Sequence, residues 1–146
     1  MATNGIAGFR SKLRVSADGN TFYTVAELTS LGKGRQGGVI KANHHDEQSY
    51  DSNLPGRISA TITAAANYVP GDPGQELVET IQATPGSFIY FKMLAHWTIG
   101  APMTTGRGVV TDSSVAFGDE QAASRTINIT VDGALAGGFA AAGDLA

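Results

Sequence analysis

The chain has 146 residues, the size of one ordinary domain and short of two. Charged residues make up 16%, well under the globular average of about 25%, while glycine reaches 19 residues and the aromatics are six Phe, four Tyr and one Trp. The formal net charge of −3 excludes a protein that holds nucleic acid by neutralising phosphates, and the lack of cysteine excludes a disulfide framework, a thiolate nucleophile and a Cys-based zinc site. A thin core under a weakly charged, glycine-rich surface suits a subunit that hides its surface against copies of itself.

The N-terminus has no basic region followed by an apolar run, so no secretory signal is expected, and no stretch approaches the ~20 apolar residues of a membrane span. The expectation is a soluble chain made in the cytosol, with no membrane partner. Residues 1–9 show no packing pattern.

In chain order, Ser11–Ser16 reads as a short strand, Ala17-Asp18-Gly19-Asn20 as a turn, and Asn20–Leu28 as the returning hairpin partner. Arg10, Lys12 and Arg14 alternate along the first strand. No stacking aromatics interleave with them, so pairing with acidic groups of a neighbouring strand or subunit is expected.

The stretch from Gly32 to Arg57 is the least regular, with a short strand at Val39–Asn43 at most, and is expected to be a long inter-strand loop. Loops of this length carry function more often than not. Its charged, aromatic and Pro-Gly positions make Lys33, Arg35, Lys41, His44, His45, Asp46, Tyr50, Leu54, Pro55 and Arg57 the candidate interface between subunits or rings.

Within this stretch Gly32 to Gly37 matches G-x-G-x-x-G. The extended-looking Gly38-Val39-Ile40-Lys41 follows, in place of the helix N-terminus that would hold a pyrophosphate. His44-His45-Asp46-Glu47 gathers four potential metal ligands, but adjacent strand residues point to opposite faces. Interface or hydrogen-bonding roles are expected for His44 and His45, and a partly buried, satisfied ring for His96. Neither a metal nor a cofactor is called for.

Ile58–Val69 alternates as a strand, with Ile58, Ala60, Ile62, Ala64, Ala66 and Tyr68 on one face and Ser59, Thr61, Thr63, Ala65 and Asn67 on the other. Pro70 to Gly74 breaks it. Gln75–Ala83 then follows helical spacing, with the Asp72–Gly74 region as cap, and Thr84-Pro85-Gly86 ends it. Glu76 and Glu79 belong to its solvated face.

Ser87–Thr98 has the densest bulky apolar content and reads as a central strand, with its aromatics and Phe22-Tyr23 expected to be buried. Gly106–Phe117 and Ser124–Leu135 are two further strands. The second sets Ile127, Ile129 and Val131 against Thr126, Asn128, Thr130 and Asp132. Its Asn128-Ile129-Thr130 sequon falls mid-strand and is taken as chance. The tail 136–146 is small and glycine-rich, expected to be mobile or to order only on assembly. No serine sits in a nucleophile elbow, and no enzyme constellation is visible.

The fold class is therefore mainly β, a single-domain β-sandwich or partial barrel of antiparallel strands with one short flanking helix and a long inter-strand loop. The order of these features resembles the tail tube proteins of long-tailed, siphovirus-type bacteriophages. The resemblance runs from about Val15 to Val131. It is carried by Glu27-Leu28-Thr29-Ser30-Leu31-Gly32, then Asn43-His44-His45-Asp46 and Asn53-Leu54-Pro55-Gly56, then a strand into Asn67-Tyr68-Val69-Pro70-Gly71 and a short helix. The chain departs from the family pattern by inserting Glu47 to Asp51 after the His-Asp pair.

The resemblance implies a structural virion protein assembled in the host bacterial cytoplasm. Such homo-oligomeric rings, typically hexameric, join inner strands into a continuous barrel and stack into a tube that DNA traverses without being specifically bound. It further implies tape measure, tail tip and tail terminator proteins as partners. The small polar alternates Ser59, Thr61, Thr63, Asp112, Ser114, Thr126, Asn128, Thr130 and Asp132 are then the candidate channel-lining residues. The alternatives are an inner-tube protein of a contractile tail or secretion system, and a small β-sandwich binding or adhesion module.

Overall fold

The computed structural model describes residues 11–41, 53–119 and 122–145. It contains strands β1 (Lys12–Ser16), β2 (Tyr23–Thr24), β3 (Leu28–Lys41), β4 (Asn53–Asn67), β5 (Ile89–Leu94), β6 (Pro102–Ala116) and β7 (Ser124–Phe139). Among the described residues a helix, α1 (Pro73–Ala83), and a 3-10 turn, Ala142–Leu145, complete them. Among the described residues no helix is long and apolar enough to cross a membrane.

All seven strands form one antiparallel sheet in the order β2-β1-β5-β6-β7-β4-β3. The sheet curls without closing. Leu13 and Val15 of β1 share one core with Ile62, Ala64 and Ala66 of β4 near the opposite edge, and with Ile89, Phe91, Ile127 and Ile129 between them. Lys33 of β3 reaches across to donate from Nζ to Thr104 Oγ1 of β6 at 2.8 Å. The expected sandwich or partial barrel thus takes the partial-barrel form.

Alternation creates this core. From Ala60 to Ala66 every second residue of β4 is buried, as are Arg125, Ile127 and Ile129 of β7. Helix α1 closes one end of the curl with Val78 and Ile81.

The start of α1 is over-determined. Asp72 caps it, its Oδ2 accepting from the Gln75 and Ala26 backbone N–H groups at 3.2 and 3.1 Å. Pro73 occupies the first turn and Glu76 suits the positive end of the helix dipole. Gln75, 1% exposed, donates from Nε2 to the Ala26 and Asn67 carbonyls and accepts at Oε1 from Val69 N–H, tying three segments together. Gly74 is required here, because a Cβ would lie 2.6 Å from the Thr24 carbonyl oxygen.

Several expectations need correction. The described parts of the stretch from Gly32 to Arg57, residues 32–41 and 53–57, are strand and not loop. Lys33, Arg35 and Lys41 lie in β3, Leu54, Pro55 and Arg57 in β4, and the two strands pair from Leu28↔Ala66 to Lys41↔Asn53. His44, His45, Asp46 and Tyr50 fall outside the described residues. The tail 136–145 is also not patternless, since Ala136 to Phe139 complete β7 against β6 and Ala140 is buried.

The aromatics divide. Phe91 is buried, while Tyr23, Phe88 and Trp97 are exposed. Several aromatic rings carry cations, with the guanidinium of Arg107 4.6 Å from the Phe88 ring centre and the Lys92 ammonium 4.3 Å from that of Phe22.

Arg14 pairs within its own chain. It is 6% exposed, donates to the Asp144 and Phe22 carbonyls at 2.6 and 3.0 Å, and lies 5.6 Å from the Trp97 ring centre. Lys92 clamps the same 3-10 turn through a 2.7 Å ion pair with Asp144.

Candidate functional site

The four longest strands, β6, β7, β4 and β3, lie side by side. Their outward residues fall into cross-strand rows: Ser114, Thr126 and Ala65; Asp112, Asn128, Thr63 and Gly32; Val109, Thr130, Thr61 and Gly34. Seven of the nine candidate channel-lining residues, Thr61, Thr63, Asp112, Ser114, Thr126, Asn128 and Thr130, therefore form one patch of hydroxyls, amides and carboxylate. Period-2 side chains and a fixed register place them there.

Polar groups inside the patch bond to one another. Asn128 Nδ2 donates to Asp112 Oδ2 at 3.3 Å, and Thr111 Oγ1 to the Asn128 carbonyl at 3.1 Å. The remaining two candidates stand apart from it. Asp132 lies one rung further along β7 in a 2.9 Å ion pair with Arg107. Ser59 lies on β4 opposite Gln36 of β3, beyond the last β4–β7 rung.

Arg107 is a functional candidate that composition did not single out. A hydrogen bond to Tyr90 and then its bond to Asp132 raise its pKa further, so the guanidinium stays charged.

The ladder between β4 and β7 ends at Thr61↔Thr130, although β4 continues to Asn53 on one side and β7 to Phe139 on the other. The sheet forks there. One prong is the β3–β4 ribbon and the other is the distal part of β6–β7. Between them lies a cleft of about 760 Å³, lined by Arg35, Arg57, Ile58, Ala60, Val131 and Leu135 among others.

The β3–β4 prong is exposed on both faces. Ile40 stands opposite Leu54 and Val39 opposite Pro55, and Val39, Ile40, Leu54 and Ile58 are each more than half exposed. Its strands cross closely at Gly38 and Gly56, where a Cβ on Gly56 would sit 2.8 Å from the Gly38 carbonyl carbon. The prong thus presents the candidate interface residues Leu54, Pro55, Arg35 and Arg57 on a ribbon with no core of its own.

The Gly32–Gly37 motif runs within β3 and no helix follows it, which removes the geometry a pyrophosphate needs. His96 Nδ1 lies 2.7 Å from Thr98 Oγ1. Among the described residues no three His, Asp or Glu side chains gather as a metal site.

No family model matches the chain, and no curated protein matches it in sequence. Solved structures do match its fold. A chain in the tail of an empty gene transfer agent particle, refined with C6 symmetry, superposes with a TM-score of 0.73 at 18% identity, covering 94% of this chain and all of that one. The SPP1 tail tube subunit gives 0.75 at 17% identity over 93% of this chain and 80% of that one. A chain of the anti-feeding prophage baseplate gives 0.71 at 9% identity over 94% and 97%. The chain therefore shares its fold, over nearly its whole length, with chains of a gene transfer agent tail, the SPP1 tail tube and the anti-feeding prophage baseplate.

Proposed function

We propose that the protein is a tail tube subunit of a long-tailed phage, a structural virion component whose work is self-assembly into stacked rings around a DNA channel. The observation that carries this reading is the four-stranded β6-β7-β4-β3 face, polar across its outward rows and open at both lateral edges. β3 ends the sheet along all 14 of its residues. On the other side β5 pairs with β6 only from Met103 to Gly108, so the rest of β6 has no strand partner on that edge among the described residues.

Exposed edges of this length invite pairing with another chain unless they are covered. Pairing β3 of one copy with the free half of β6 in the next covers that β6 edge and a matching length of β3. Six copies, the symmetry of the matching gene transfer agent tail, contribute four strands each and close a barrel of 24. At ordinary strand spacing and tilt such a barrel is about 45–50 Å across its backbone, wide enough to admit a DNA duplex.

The nine polar candidates then face the channel, and the two carboxylates among them, Asp112 and Asp132, face phosphates with Arg107, paired to Asp132, as a counterweight. DNA slides past such a wall because few phosphates are neutralised. Tape measure, tail tip and tail terminator proteins fit the same reading as partners that set length and close the ends.

The test is a helical reconstruction of assembled protein. Inner-wall density from β3, β4, β6 and β7 supports the reading, and a wall built from β1, β2 and β5 refutes it. A contractile-system inner tube is the second reading, favoured by the anti-feeding prophage match. A sheath protein gene beside this one distinguishes it.

A further inference from the structure

We infer that rings stack head to tail by insertion of the segment Phe117–Asp119, which follows β6 in one copy, into the fork between β4 and β7 of a copy in the next ring. The inference rests on the tube reading and adds to it the two surfaces that meet.

The fork has an apolar floor and a basic wall. Ile58, Ala60, Val131 and Leu135 line it together with Arg35 and Arg57, both exposed and neither in an ion pair among the described residues. The described parts of β3 and β4 contain Lys33, Arg35, Lys41 and Arg57 and not one carboxylate.

The opposite end of the sheet has the reverse character. Beyond the last β6–β7 rung, Ala116↔Ser124, Phe117 is 78% exposed and Asp119 is exposed. Phe117 is held edge-to-face on Tyr68 with ring centres 5.9 Å apart, so an apolar side chain is presented to solvent in a fixed pose. Glu27 and Glu76 are exposed at the same end, where Glu79 is paired with the buried Arg125 at 3.2 Å, and the segment 68–88 contains no Lys or Arg.

The two surfaces point in opposite directions along the strands. From Ser124 to Leu135 β7 spans about 35 Å, so one end of a subunit offers an exposed aromatic beside carboxylates and the other a basic, apolar-floored cleft. Two unlike complementary surfaces on opposite ends generate an open head-to-tail stack instead of a closed dimer. Phe117 supplies the buried apolar anchor, while Asp119 meets Arg35 and Arg57 and sets polarity and register.

The experiment uses the full chain under conditions in which the wild type forms tubes, with tube mass read by sedimentation and electron microscopy. Arg35→Glu with Arg57→Glu, Asp119→Lys alone, and Phe117→Ser alone are each expected to raise the protein concentration needed for tubes roughly tenfold or more. Their far-UV β spectrum should not change, because every substituted side chain is exposed. Combining the Arg35→Glu, Arg57→Glu and Asp119→Lys changes is expected to restore tubes to near wild-type levels.

Variants that elongate like the wild type, or a combined variant no better than its parents, overturn the inference and leave the tube reading standing. A wild type that never assembles overturns both.

Discussion

Thr61 of β4 stands opposite Thr130 of β7 at the last rung their strands share. On one side of that rung the sheet is continuous from β6 to β3 and carries a polar outer face. On the other side it divides into two prongs. A single register position thus separates the part of the subunit that forms a wall from the part that reaches out of it.

If the polar face lines a channel, its charge decides whether DNA slides or sticks. Thr61→Lys combined with Asn128→Lys adds two cations per subunit to that face, repeated around the ring. Tubes of this variant are expected to retain short duplex DNA at low salt and release it as salt rises, with a log–log slope near −0.9 for each phosphate neutralised. Wild-type tubes should retain little at any salt. Co-sedimentation of labelled duplex with tubes measures both, and equal retention by the two would place the face outside the lumen.

Gln75 serves three backbone groups from a fully buried position. Gln75→Leu keeps the bulk and strands the Ala26 and Asn67 carbonyls and the Val69 N–H, at an expected cost of about 2–3 kcal/mol in urea unfolding. Stability within 0.5 kcal/mol or so of the wild type would mean the three segments hold together without it.

Gly74→Ala tests a different contact at the same place. Its Cβ would meet Thr24 and Val25 backbone atoms at 2.6–3.0 Å, which only a shift of α1 or of β2 relieves. A loss of about 1–3 kcal/mol is expected, read as a lower Tm, although alanine is the better helix former. An unchanged or higher Tm would show that α1 does not lie this close.

The 3-10 turn should respond to acid. The Asp144 carboxyl is held below the ordinary carboxylate range, chiefly by Lys92 and then by the Ala141 N–H. A lowered folded pKa stabilises the ionised form, so its contribution is complete above the unfolded value of about 3.9 and is lost as pH falls through the folded one. Asp18 is pushed down to about 2, first by the Thr21 and Asn20 N–H groups, so its contribution to the 17–20 turn is lost only as pH falls through about 2. Fluorescence of Trp97, the one tryptophan, beside Arg14, should be flat from pH 7 to 5 and change below about 4. Asp144→Asn should remove that change, and an identical acid transition in the variant would assign it elsewhere.

The parts of the fold that could be read from sequence were those with a buried face. The strand alternation around Ile62 and Ile129 and the spacing of Val78 and Ile81 exist because one side of each element packs on a core. The β3–β4 prong has no such side. Its strands are held by backbone ladder bonds, with Gly32, Gly34, Gly37 and Gly38 where alternation would otherwise show, so its sequence reads as a loop.

The tail failed for a related reason. Ala136 to Gly138 bring almost no side chain to signal strand, and their partners on β6 make them one. Of the site, the polar rows were visible as alternates of Ile127 and Ile129. The fork depends on where the β4–β7 pairing stops, and no local pattern encodes that. Gln75 and Asp144 each act partly through a distant partner, the Ala26 carbonyl 49 residues from Gln75 and the Lys92 ammonium 52 residues from Asp144, and these leave no local trace either.

The most direct test is electron microscopy of the purified protein across concentrations, alone and with a tail tip complex as initiator. Hollow tubes of uniform diameter, with six-fold rings whose inner wall is the β6-β7-β4-β3 face, are the expected result. A protein that stays monomeric under all of these conditions would contradict the account.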